Sequence, residues 1–240
     1  MRARARVVAT PDGRGGTRLA VLRGESPLLL RRTGPGTVHL VGGAAGPLRG
    51  DDLRLEIEVE AGAELTVRSV AAQLALPGRD GLPPSRLEIR AVVGPGATLC
   101  WRPEPLIAAA GCDHRAVTHV EVAEGGRLLW RDDLVCGRHG EPSGSVRTTT
   151  TIRYAGQTVY RHDLAVGPEA PGWSAAAVLG EARAAGTLVA VPERPELLPP
   201  AGPGVAAMPL AGPGVVVTAL GADIRAVQAA LDPIGLAKTA

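Results

Sequence analysis

The sequence predicts a mainly β protein built of stacked sheets, and two patterns carry that prediction. Leu53, Leu55, Ile57 and Val59 alternate with Arg54, Glu56, Glu58 and Glu60, and Leu87, Ile89, Ala91 and Val93 repeat the alternation. A period of two gives each strand one apolar and one polar face. Residues 59–65, 93–99 and 122–128 then share one pattern of strand, glycine turn and strand. Their turn glycines, Gly62, Gly96 and Gly125, lie 34 and 29 residues apart. Such spacing suits the coils of a β-solenoid or a layered β-sandwich.

In chain order, residues 5–9, 17–22, 28–32 and 37–41 read as short strands between Gly-rich turns. Arg2, Arg4 and Arg6 form the outward face of the first. The half-buried strand 53–59 turns at Ala61-Gly62 and continues inward through Leu65, Val67 and Ser69. Gly-Pro-Gly recurs at 34–36, 94–96, 202–204 and 212–214, marking turns. Residues 146–154 and 157–166 read as a hairpin about Ala155-Gly156. Residues 174–185 stay open between helix and strand, because their alanines favour a helix that Gly180 interrupts. Residues 192–214 are Pro- and Gly-rich and predict an irregular loop, followed by a strand at 215–219. Asp223 caps a short helix with Ile224, Val227 and Leu231 on one face, stopped by Asp232-Pro233.

The composition excludes several classes. The 240 residues suit one large β-rich domain with an aliphatic core, since the chain has no Phe and two Tyr. Glycine and proline make up 53 residues, but they fall at intervals between Val/Leu-rich strands and so mark turns rather than disorder. The net charge is +2, and no basic face with interleaved aromatics stands out, which argues against a nucleic-acid partner. No apolar run of about 18 residues and no leader-like segment stands out, so no membrane partner is expected. Three cysteines, none in a Cys-x-x-Cys pair, suit free thiols in the cytoplasm.

Residues 99–141 hold all three cysteines, Trp101 and Trp130, and three of the five histidines. Cys112, Asp113, His114, His119, Cys136 and His139 are ligand types for nickel, zinc or copper, though no pair has a standard zinc spacing. Buried thiols and surface histidines are the alternative. The acids Asp51-Asp52, Glu104, Asp132-Asp133 and Glu141 could serve a β-solenoid hydrolase or lyase using clustered carboxylates. Adjacent acids on a strand point to opposite faces, however, so neither Asp-Asp pair is a dyad by itself. Gly-x-Ser-x-Gly and phosphate-binding glycine loops are absent. The residues alone therefore favour a scaffold or binding protein over an enzyme.

Three blocks resemble the UreD family of urease accessory proteins. They are residues 50–53 with 59–65 and 68–72, residues 99–107 (Leu-Cys-Trp-Arg-Pro-Glu-Pro-Leu-Ile), and residues 128–132 leading to Gly137-Arg138 and Gly140-Glu141. Only His139 lies between Arg138 and Gly140, where most relatives have three residues. The resemblance covers residues 5–235, within a single domain of residues 1–240. It implies mainly β, β-helical or solenoid-like stacked sheets, with one or two short helices near the C-terminus. It further implies a non-enzymatic urease maturation chaperone. The chain would bind apo-urease and UreF, which recruits the GTPase UreG, and pass nickel onward without holding a tightly bound cofactor. On that reading Asp51, Glu104, Asp132 and Glu141 line a transient nickel path, and Arg138 orients acids or holds its turn. His114, like His119 and Cys112, has no counterpart in the family pattern and joins the path on donor chemistry alone. The alternative for each is a satisfied buried ion pair, with Arg138 and Glu141 as mutual partners.

Overall fold

A computed structural model describes residues 1–192 and 202–235. Two sheets face one another. The first has the order β14-β13-β11-β8-β5-β1-β2. Its strands are β1 (Arg2–Pro11), β2 (Thr17–Gly24), β5 (Asp52–Val59), β8 (Ser85–Val93), β11 (Asp113–Val122), β13 (Ser145–Tyr154) and β14 (Gln157–Val166). The second follows the order β16-β17-β15-β12-β9-β6-β4-β3. It comprises β3 (Leu28–Gly34), β4 (Thr37–Gly42), β6 (Glu64–Ser69), β9 (Thr98–Arg102), β12 (Arg127–Val135), β15 (Ala184–Val191), β16 (Val205–Pro209) and β17 (Val215–Gly221). Short strands β7 (Gln73–Ala75) and β10 (Leu106–Ala108) pair beside β12.

The central pairings are parallel, as coil stacking requires: β1-β5-β8-β11-β13 in one sheet and β4-β6-β9-β12 in the other. The chain thus winds β5-β6-β7, then β8-β9-β10, then β11-β12, a solenoid-like arrangement. The repeat glycines are its corners. Gly62, Gly96 and Gly125 have φ of 75°, 65° and 75°, a region that other residues enter at a steric cost. Consecutive corners stack, with Gly62 N–H donating to Pro95 O at 3.0 Å and Gly96 N–H to Gly125 O at 3.2 Å.

Register sends the alternating apolar positions inward. One inner row runs Ala3, Leu53, Leu87, Ala116, Thr148, and the next runs Ala5, Leu55, Ile89, Thr118, Thr150. The first row changes from aliphatic to threonine at β13 and the second at β11. The opposing row is Val38, Val67, Trp101, Trp130, Val189. The β13–β14 hairpin turns at Ala155-Gly156, as predicted, with φ of 47° and 78°.

One helix, α1 (Ile224–Leu231), occurs among the described residues, capped by the Asp223 carboxylate, which accepts from Arg225 N and Ala226 N. It buries Val227 and Leu231 on the outer face of β15 and β17, alongside Ile234. Gly186 permits the close approach. A Cβ there would lie 2.4 Å from Val227 Cγ1 and 2.7 Å from both Leu231 Cδ1 and Asp133 Oδ1. Gly186→Val is expected to cost about 1–3 kcal/mol by overpacking and to lower Tm by roughly 5 °C in a domain of this size, read by calorimetry.

Two segments differ from expectation. The described part of the predicted 192–214 loop contains β16, because Val205, Ala206 and Ala207 complete an antiparallel ladder on β17; residues 193–201 lie outside the described residues. Residues 174–181, left open between helix and strand by the sequence, form turns and so neither of the two, and β15 begins at Ala184.

Candidate functional site

Where the threonine rows face Trp101 and Trp130, the sheets do not fill the space between them. A cavity of about 450 Å³ lies there. Its walls are mostly Leu53, Leu55, Leu87, Ile89, Val189 and the two indoles. The polar lining includes Thr118, Thr148, Thr150, Thr187, Tyr160, His162 and Asp132, together with Ser69, Gln73, Glu104 and Asp133. The threonines and β14 residues were not singled out in the sequence. The signal was there in β13, where Val146, Thr148, Thr150 and Ile152 share one face.

Asp132 is the buried acid of this cavity. Trp130 Nε1 donates to Oδ2 at 2.7 Å and Trp101 Nε1 to Oδ1 at 3.3 Å, and Thr150 Oγ1 lies 3.5 Å from Oδ2. The indoles are stacked, with centroids 4.8 Å apart and planes within 11°. Burial lifts the Asp132 carboxyl to about 6, against the pull of the indole donors. Burial also pushes the Tyr160 hydroxyl upward and the His162 imidazole downward, so both are neutral near pH 7. Asp132 is thus the buried acid of a largely apolar cavity whose lining also includes Glu104 and Asp133.

The neighbouring acid points the other way. Asp133 lies on the outer face of the second sheet and takes Arg131 Nη2 at 2.7 Å. Arg131 Nη1 also pairs with Asp232, just past α1. A polar recess of about 560 Å³ lies on that face, and it shares Ser69, Val70, Pro103, Glu104 and Asp133 with the cavity, so the two abut. Glu104 is exposed on the loop after β9, where its backbone N–H donates to Ser69 Oγ at 2.8 Å.

The remaining sequence candidates lie elsewhere. Asp51 is buried and accepts from the Met1 amine at 2.6 Å and from Leu48 N at 2.9 Å. His114 is 1% exposed. Its Nδ1 lies 2.9 Å from Ser85 Oγ, while Nε2 has no hydrogen-bond partner among the described residues. Since Ser85 Oγ donates to Asp113 O, Nδ1 is assigned the proton and Nε2 the bare lone pair. Burial alone pushes this imidazole down to about 4. Glu141 is paired with Arg138 through both guanidinium Nε and Nη2, the mutual pairing considered from the sequence. Of the five candidates, then, the structure brings Asp132 and Glu104 to one cavity, and Asp51, His114 and Glu141 sit outside its lining.

Cys112, which burial pushes up to about 11, and Cys136, also raised by burial, are protonated at neutral pH and are poor ligands in that state. Among the described residues, no three His, Cys, Asp or Glu side chains are grouped to hold a metal ion, and no helix is long and apolar enough to cross a membrane.

The geometry defines a class: a solenoid-like scaffold enclosing one acid-bearing cavity between its sheets. Comparison with known proteins gives the family. The profile of the UreD urease accessory protein matches residues 1–239. The chain is 47% identical over 243 residues to urease accessory protein UreD 3 of Streptomyces griseus subsp. griseus, covering 97% of this chain and 95% of that protein. It is 45% identical over 241 residues to urease accessory protein UreD of Streptomyces coelicolor, covering 97% and 94%. It is 42% identical over 261 residues to urease accessory protein UreD of a Parafrankia species, covering 98% and 88%. The chain belongs to the UreD urease accessory protein family, and that membership supports a role in urease maturation.

Proposed function

We propose that this chain is a non-catalytic maturation scaffold that binds apo-urease and UreF, with UreG held through UreF, and lets nickel pass along the cavity between its sheets. The observation that carries the reading is the cavity itself, mostly apolar, with Asp132 buried in it and Glu104 shared with the recess that it abuts. A cargo ion needs exchangeable oxygen contacts rather than a closed cage, because a complete ligand set would retain it. Asp132 offers one carboxylate, Thr118, Thr148 and Thr150 offer hydroxyls, and Glu104 stands at the outer side.

Asp132 is the part of this path most exposed to test. Replacing it with Asn keeps the shape and removes the charge. A charge-assisted contact is worth about 1.5–3 kcal/mol, or roughly a 10–100-fold change in occupancy. Co-expression of tagged wild type, Asp132→Asn and Glu104→Gln with UreF, UreG and the urease subunits checks this by pull-down and urease assay. The expected result is an intact complex with Asp132→Asn activation reduced by about tenfold or more, and a smaller loss for Glu104→Gln. Full activation by Asp132→Asn would remove the nickel path. Urease activity independent of the chain, with no complex recovered, would remove the maturation role.

A further inference from the structure

We propose that an acidic segment of a protein partner docks on an in-register ladder of basic side chains across the outer face of the second sheet, anchored by Arg68 and Arg102. This rests on the reading that the chain acts by assembling with other proteins. It adds the surface and its chemistry.

The ladder follows from register. Arg31 lies opposite His39, His39 opposite Arg68, and Arg68 opposite Arg102. Trp101 pairs with Trp130, so Arg131 follows on the next strand. Their neighbours Val38, Val67, Trp101 and Trp130 are buried between the sheets, which turns the basic side chains outward. Neighbouring strands lie about 4.8 Å apart, and like charges directly opposite one another are destabilising.

Compensation within the fold stops at one end of the ladder. Arg131 has Asp133 and Asp232. Arg102 donates to the carbonyl oxygen of Asp232 at 3.0 Å, feels the nearby Asp232 carboxylate, and forms no salt bridge among the described residues. Arg31 donates to its neighbour's carbonyl, Leu30 O. Arg68 is exposed and pairs with no acid among the described residues. The first sheet's outer face is different: Arg6 meets Glu56 and Glu58, Arg86 and Arg90 meet Glu88, Arg147 meets Asp163 and Arg153 meets Glu121. Burial chiefly disfavours the charged form of Arg102, with Arg131 and Arg68 adding to it and Cys100 and Asp232 opposing it.

Shape favours a chain segment over a lone ion. Helix α1 covers the β15–β17 half of this face and, among the described residues, leaves β4, β6 and β9 open. The recess beside it is walled by Gln228 and Asp232 on the helix side, with Val70, 59% exposed, in its lining. One oxyanion occupies one guanidinium fork. Carboxylates three or four positions apart on a helix stand about 5–6 Å apart, close to the inter-strand step. The recess abuts the cavity, so a partner seated there would cover its Glu104 side.

The test measures the affinity of the purified chain for UreF–UreG and for apo-urease, each at low and moderate salt. The variants are Arg68→Glu, Arg68→Glu with Arg102→Glu, and Arg147→Glu on the other sheet as control. Arg68→Glu is exposed and keeps the fold, read as an unchanged Tm, even should the double variant lose stability. Support is a loss of about tenfold or more for one protein partner with Arg68→Glu, a flatter salt dependence, and wild-type affinity in Arg147→Glu. Wild-type affinity of Arg68→Glu for both partners overturns the proposal while leaving the scaffold reading standing. Binding of inorganic phosphate that Arg68→Glu abolishes, with protein affinities unchanged, also overturns it in favour of an oxyanion site. No partner bound by the wild type overturns the scaffold reading and the ladder with it.

Discussion

Trp130→Ala is expected to lower the unfolding free energy by about 3–5 kcal/mol, the range for truncating a buried large aromatic. Two losses combine. The indole is 1% exposed and stacked on Trp101, so its removal opens a void beside an existing cavity and exposes one face of its neighbour. It also deprives Asp132 of its shorter hydrogen bond, the 2.7 Å contact to Oδ2. A buried carboxylate that loses a donor costs a further 1–3 kcal/mol or so unless it takes up a proton. Trp130→Phe separates the two losses, because it keeps most of the packing and removes the N–H. Its expected cost is about 1–3 kcal/mol, and Trp101→Phe, whose contact is 3.3 Å, should cost less. Urea unfolding at pH 7 checks all three. A Trp130→Phe protein as stable as wild type would mean that the indole does not hold Asp132.

The pH dependence of stability is expected to hide two large and opposite contributions. Asp132 titrates at about 6 in the fold, above its unfolded value of 3.8. A raised carboxyl contributes stability that is fully present below the unfolded value and lost as pH rises through the folded one. His114 titrates at about 4 in the fold, below its unfolded value of 6.5. A depressed imidazole contributes stability that is present above the unfolded value and lost as pH falls towards the folded one. Each shift corresponds to roughly 3 kcal/mol. Between about pH 4 and 6 the two slopes oppose each other, so wild type should vary less than either variant. Asp132→Asn should gain stability at pH 7 and lose it steeply on acidification. His114→Gln should instead become more stable, relative to its own value at pH 7, as pH falls towards 4. Urea midpoints at four or five pH values settle the matter. Parallel profiles for wild type and both variants would show that neither group is perturbed by burial.

Much of this architecture was legible in the sequence, and particular residues show why. Leu53 to Val59 and Leu87 to Val93 alternate because each strand is buried on one face only, and alternation is a local property of the chain. Gly62, Gly96 and Gly125 mark the corners because a positive φ favours glycine, again a local requirement. Asp223 announced its helix through its side chain's capping of the first turn. The 205–209 strand was hidden by its Pro- and Gly-rich surroundings, since its pairing with β17 joins segments that are not marked as partners locally. Among the site candidates, Asp132 could be named as an acid. That it faces the cavity while Asp133 faces Arg131 depends on which face of β12 is inside.

By itself, then, the sequence determined the fold class, the coil corners, the capped helix and the resemblance to UreD. These rest on backbone geometry and on side-chain period, which act over a few residues. Only the tertiary structure decided that Asp132 and Glu104 share a cavity while Asp51, His114 and Glu141 have other partners. It alone aligned Arg31, His39, Arg68 and Arg102 on adjacent strands. The physical reason is register. Contacts between coils join residues about thirty positions apart, and their alignment is set by how the corners stack and the cores interlock, which no local stretch of sequence encodes.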